Sequence, residues 1–200
     1  MQVDWTALGL YVAATFPLLA APGSVPLALA AAGRRVGWRG SLRFFAGVEV
    51  GLAAGAGLTA SGLMALLAAL PWLESVLIAV ALGYLLFLAF RVATAPLGQA
   101  AADIALNPVA GAVAGLANPK ALAVFAAVFS AFTLIPTHGI ADAALKWALC
   151  VALMILVDSI WVTLGIWLGT VKMPPRAERA LNIIFGVLIV ATAVAAYLLT

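Results

Sequence analysis

The chain has 200 residues, 66% hydrophobic and 8% charged, with a net charge of +3 and a mean hydropathy of +1.22. Soluble domains run near half apolar and a quarter charged, so this composition excludes a water-soluble globular protein and implies a polytopic membrane protein. Membrane spans use up nearly the whole length, so residues 1–200 read as a single transmembrane domain with no sizeable soluble part.

A hydrocarbon core about 30 Å thick takes about 20 apolar residues per helix. Six stretches qualify, near 5–33, 44–70, 73–95, 109–135, 143–171 and 180–199. They are Ala/Leu-rich and do not alternate, which argues against strands. No basic n-region precedes the first stretch, and Asp4 is its only charge. It is expected to be a retained span and not a signal peptide.

Span one carries Pro17, Pro22, Gly23 and Pro26 in "FPLLAAPGSVP". Pro22 lies about 12 residues from Arg34, roughly 18 Å of helical rise, so the break falls near the membrane centre. Ser24 is placed to cap a helix restarting after Gly23. The connection to span two holds Arg34, Arg35, Arg39 and Arg43. Arg91 opens the third connection, and Lys172, Arg176 and Arg179 fill the fifth, while Lys146 is the basic residue of the opposite face. The positive-inside rule puts the Arg-rich face in the cytoplasm and both termini outside. Trp5, Trp72 and Trp147 then fall at the outer interface, with Trp38 and Trp167 at the inner one.

In span two, Gly47, Gly51 and Gly55 make a smooth face, a theme repeated by Gly111 with Gly115 and by Gly165 with Gly169. Such faces serve close helix packing within a chain or a homodimer equally well. Span four holds "NPK", with Asn118 as a candidate N-cap and Pro119 as a first-turn proline. Pro119 is about ten residues into its span, roughly 15 Å, so this break also lies at mid-depth. The lone cysteine, Cys150, excludes an internal disulfide and reads as a small core residue. The lone histidine, His138, reads as an exposed loop residue.

Spans one to three and four to six form two halves of three helices. An odd number makes the second half inverted relative to the first, a common transporter plan whose binding sites lie where broken helices meet. Each restarting helix would aim free N–H groups and its positive dipole end at the midplane. Three ionisable residues look intramembrane, set in from the span ends: Glu49, Lys120 and Asp158. Each costs about 2.5–3.5 kcal/mol at a helix centre on insertion scales, so such residues usually face a cavity. A Lys120–Asp158 ion pair that only fixes packing is the structural alternative. For Glu49, about 9 Å of rise from Arg43, the alternative is snorkelling to the inner interface. Two acids against one base leave one acid for a proton or a substrate amine. Lys120 and the half-helix N-termini suit a carboxylate, so a zwitterionic amino acid meets both requirements.

These segments resemble the LysE/RhtB family of amino-acid exporters along nearly the whole chain. "APGSVPLALAAAGRRVGWRG" is similar to that family's Pro-Gly-Pro segment and basic loop, "GVEVGLAAGAGL" to its second helix and "GYLLFLAFRV" to its third. "NPKALAVFAAVFSAF" is the most specific match, and "LVDSIW" resembles the Asp-bearing fifth helix. The resemblance implies proton-driven efflux of amino acids or similar zwitterions across a bacterial inner membrane. It points to Pro22, Gly23, Asn118, Pro119, Lys120 and Asp158. Ser24 stands where the family has its second proline. Leu52 stands where the family often has an acid or histidine, a role Glu49 is placed to take over.

The expected partners are therefore an amino-acid substrate, protons, the lipid bilayer and a second copy through the glycine faces, with no nucleic acid and no cofactor. Metal-ion export is the alternative transport reading, disfavoured because one His and one Cys make no ligand cluster. A membrane-embedded enzyme is disfavoured because HExxH and paired metal ligands are absent. A structural or assembly subunit is the remaining alternative.

Overall fold

The computed structural model describes residues 2–62, Phe90, 107–171 and scattered positions from Pro174 to Ala191. The described residues are helical: α1 (Trp5–Ala20), α2 (Ser24–Ala60), α3 (Pro108–Leu116), α4 (Pro119–Ala131) and α5 (Gly139–Thr170). Among them α2 and α5 are each long and apolar enough to cross a membrane, and α3 with α4 forms a further candidate bent by 50°. Span 73–95 apart from Phe90, most of span 180–199 and Trp72 lie outside the described residues.

Both expected breaks are present. Span one divides into α1 and α2 across Ala21–Gly23, and span four divides into α3 and α4 across Ala117 and Asn118. Pro17 stays inside α1. The connection between spans one and two is tighter than the sequence suggests. α2 has 37 residues, about 55 Å if straight, far more than a hydrocarbon core needs. It divides at Gly37, whose φ of 65° and ψ of −172° leave helical space. A positive φ is strained for any side chain, and glycine removes that strain. One residue thus replaces the expected arginine loop and separates an arm at 24–36 from an arm at 38–60.

Glycines bring these arms against their neighbours. A Cβ on Gly165 would strike the Ala30 carbonyl, one on Gly169 the Arg34 carbonyl, and one on Gly33 the Val162 carbonyl. The first arm therefore runs parallel to α5, backbone against backbone. The second arm meets α3 the same way: Gly47 and Gly51 face the Pro108 and Ala112 carbonyls, and Gly111 and Gly115 face those of Phe44 and Val48. The glycine faces are thus used within the chain, and a dimer would need other surfaces. Gly165→Val should cost about 1–3 kcal/mol, because the Ala30 backbone cannot move aside as a flexible side chain would. Thermal unfolding in detergent reads this as a lowered midpoint; an unchanged midpoint would contradict the packing.

At the end holding the N-terminus, a polar network ties α1 to the α4–α5 turn. The Asp4 carboxylate caps α1 by accepting from Ala7 N–H at 2.9 Å, while Asp4 N–H donates to the Leu134 carbonyl at 2.9 Å. The Tyr11 hydroxyl donates to the Lys146 carbonyl at 2.9 Å. Asp142 accepts from the N–H groups of Leu134 and Ile135 and pairs with Lys146 at 2.7 Å. Lys146 also donates to the carbonyls of Phe129 (2.9 Å) and Phe132 (3.0 Å). Lys146 is therefore a buried residue of α5, not a solvated marker of the outer face. Cys150 is fully buried beside Tyr11, and His138 is exposed. Trp147 donates from Nε1 to the Ala53 carbonyl at 2.9 Å, joining α5 to the second arm.

Candidate functional site at the meeting of two helix breaks

The second break is built as an Asn-Pro pair predicts. Asn118 has extended backbone, its side-chain oxygen accepts from Ala121 N–H at 3.3 Å, and Pro119 opens α4. Proline fits there because its missing N–H is one that a first turn leaves unpaired anyway. The same dipeptide opens α3: Asn107 accepts from Val109 N–H (3.0 Å) and Ala110 N–H (3.2 Å), with Pro108 in the first turn. The first break is built differently. Gly23 holds the N-cap position of α2 with no side-chain cap, and Ser24 is the first helical residue. The capping role expected of Ser24 is absent because the restart comes one residue earlier in the cap frame.

The two breaks meet. The Lys120 ammonium, in the first turn of α4, donates to the carbonyl of Ala21, the C-cap of α1. A helix end leaves its last carbonyls without helical donors, so a cation there has a ready acceptor. The lysine stem lies over Gly23, where a Cβ would sit 3.1 Å from Cδ and 3.6 Å from Nζ. Glycine at this position leaves room for the stem to cross. Pro22 lies in the break that the stem spans.

Asp158, on α5, is within electrostatic range of Lys120 but is not its ion-pair partner. Its carboxyl instead lies within hydrogen-bonding reach of the Glu49 carboxyl. Glu49 is 9% exposed and Asp158 4%. Glu49 thus turns inward and does not snorkel. Both Glu49 oxygens and Asp158 Oδ2 lack a donor among the described residues. Two carboxylates that approach each other both offer acceptors, so their contact satisfies neither.

Lys120 and Asp158 share a cavity of about 30 Å³ with Asn118, Leu52, Met154 and Val157, among others. That volume suits roughly one water, far below the 300 Å³ or more of a typical small-ligand pocket. The site leaves little room around its polar groups. Leu52 lines it one turn beyond Glu49, so the acid reaches the site from the preceding turn of the same arm. Pro22, Gly23, Asn118, Pro119, Lys120, Glu49 and Asp158 are gathered at this one place. Ser24 is buried at the start of α2. Sequence reasoning missed Asn107, whose signal was a second Asn-Pro, and the Asp142–Lys146 pair, whose signal was an i,i+4 acid–base spacing.

The model of the LysE type translocator family matches residues 16–200. Neither a curated protein nor a solved structure matches the chain. This match over nearly the whole length places the chain in the LysE type translocator family, membrane transporters that export small solutes.

Proposed function

We propose that this translocator exports amino acids or similar small zwitterions across a bacterial inner membrane in exchange for protons. The observation that carries this reading is the arrangement at the breaks. The Lys120 ammonium and the Asp158 carboxyl border one small cavity at mid-helix depth, and the Glu49 carboxyl lies within hydrogen-bonding reach of Asp158. Lys120, with the N-terminal turn of α4 capped by Asn118 and Pro119, receives the substrate carboxylate. The first break, through Pro22, Gly23 and Ser24, supplies the facing wall, and Asp158 with Glu49 takes the substrate amine or a proton. Buried ionisable groups facing a cavity in a membrane protein mark transport pathways.

Two inverted three-helix halves, with both termini outside, supply the frame for alternating access. Two features support that frame. The glycine contacts are crosswise, joining the second helix of each half to the first helix of the other. Trp5 and Trp147 belong to the end tied together by Tyr11, while Trp38 and Trp167 lie toward the arginine end.

Efflux from proteoliposomes under an imposed pH gradient tests the reading. One or more members of an amino-acid panel should compete for export, and export should collapse when the gradient is dissipated. Export indifferent to every amino acid would refute the substrate class, and export indifferent to the gradient would refute the coupling.

A further inference from the structure

We propose that Glu49 and Asp158 hold a single proton between them, and that the ammonium group of the exported solute displaces that proton, so solute and proton compete for one site. This rests on the amine-bearing substrate read above, and adds how its binding is coupled.

The geometry sets the terms. Two carboxyls from different helices, each more than nine-tenths buried, lie within hydrogen-bonding reach of each other. Three of their oxygens lack a donor among the described residues. Unpaired buried carboxylates are costly, and two together are costlier still. A donor shared between them removes the repulsion and halves the buried charge, and a proton is the smallest such donor. Asp158 opens onto the cavity shared with Lys120, so a larger donor can approach from that side.

Among the described residues, no other element supplies a competing group. The α3 sequence has no titratable side chain. The Tyr11 hydroxyl of α1 is turned to the Lys146 carbonyl, two turns or more along α5. From α4, Lys120 faces Asp158 across the cavity while bonded to Ala21. On α5, Asp142 and Lys146 are engaged with each other. The arginines of α2 lie toward its Gly37 break, away from Glu49.

The exchange balances. With the proton in place the pair carries one net negative charge. When the ammonium enters, the proton leaves to water, both carboxyls are ionised, and the ammonium restores the same net charge. The Lys120 ammonium faces the same field in either state. One proton is therefore released for each ammonium bound.

Infrared spectroscopy of the full chain in proteoliposomes tests this without relying on the substrate carboxylate. The wild type should show the carbonyl stretch of one protonated carboxylic acid near neutral pH, and Glu49→Gln and Asp158→Asn should each remove it. Methylammonium, the smallest primary alkylammonium and lacking a carboxylate, should lower the pH midpoint of that band by about one unit per tenfold rise once it saturates. A wild type without the band, a band surviving both variants, or a midpoint unmoved by methylammonium would each overturn the proposal. If the variants fail to fold, the wild-type band and its midpoint decide alone. Methylammonium shifting the midpoint while no amino acid does so would support the shared proton and sink the amino-acid reading instead.

Discussion

Lys120→Met is expected to abolish measurable export while leaving the protein at wild-type levels in the membrane. Methionine keeps an unbranched stem of similar length, so the crossing over Gly23 stays filled. Only the ammonium and its bond to Ala21 are lost. A hydrogen bond to a charged group contributes about 1.5–3 kcal/mol, roughly 10- to 150-fold in substrate affinity. Stability should change little, because even a half-buried ammonium is itself costly in this setting. Lys120→Arg should not rescue export, since a planar guanidinium is larger than the ammonium and the cavity is about 30 Å³. Equilibrium binding and efflux measured on the same preparations check this, and full transport by Lys120→Met would remove the lysine from the site.

Lys146→Met should act in the opposite sense, on the fold first. It strands the Asp142 carboxylate, which is 6% exposed and otherwise pairs with Lys146 at 2.7 Å. Breaking a buried pair from one side costs about 3–5 kcal/mol, because the remaining charge stays buried without its partner. The two N–H donors from Leu134 and Ile135 soften this but do not cancel it. Asp142→Asn combined with Lys146→Met removes both charges and should recover much of the loss. A thermal unfolding series in detergent, with the double variant no more stable than Lys146→Met alone, would contradict the pairing argument.

The two single variants also separate what the sequence disclosed from what it hid. "NPK" was legible because Asn before Pro has one dominant physical meaning, a cap followed by a first turn, and that local rule needs no partner. The break at Pro22 and Gly23 was legible for the same reason, though not which residue would cap. The depth of Glu49 was not. Counting from Arg43 made it shallow, because four arginines looked like a loop. The chain turns at Gly37 instead, and the helix resumes at once. Glu49 is then about 11 residues into its arm, roughly 16 Å, which is near the middle of that helix. A single positive-φ glycine among arginines gives no periodic signal, so the error was in the origin of the count.

The meeting of Lys120 with Ala21 was hidden for another reason. It joins residues 99 positions apart, and nothing in either segment specifies the other. The glycine faces were visible, but sequence left open whether they served one chain or two. The carbonyls they meet, at Ala30, Phe44 and Val48 among others, belong to the same chain.

The bridge from Lys120 to Ala21 has a kinetic side. A bare ammonium in a low-dielectric interior is a high-energy state, and any cycle passing through one is slow. Here the outgoing oxygen is a backbone carbonyl, fixed at a helix end and always present. If Lys120 receives the substrate carboxylate as proposed, its ammonium would hand over from that carbonyl to the carboxylate and back again, touching an oxygen throughout. The empty carrier and the loaded one would then lie close in energy, and the movement of helices, not the desolvation of a charge, would limit turnover.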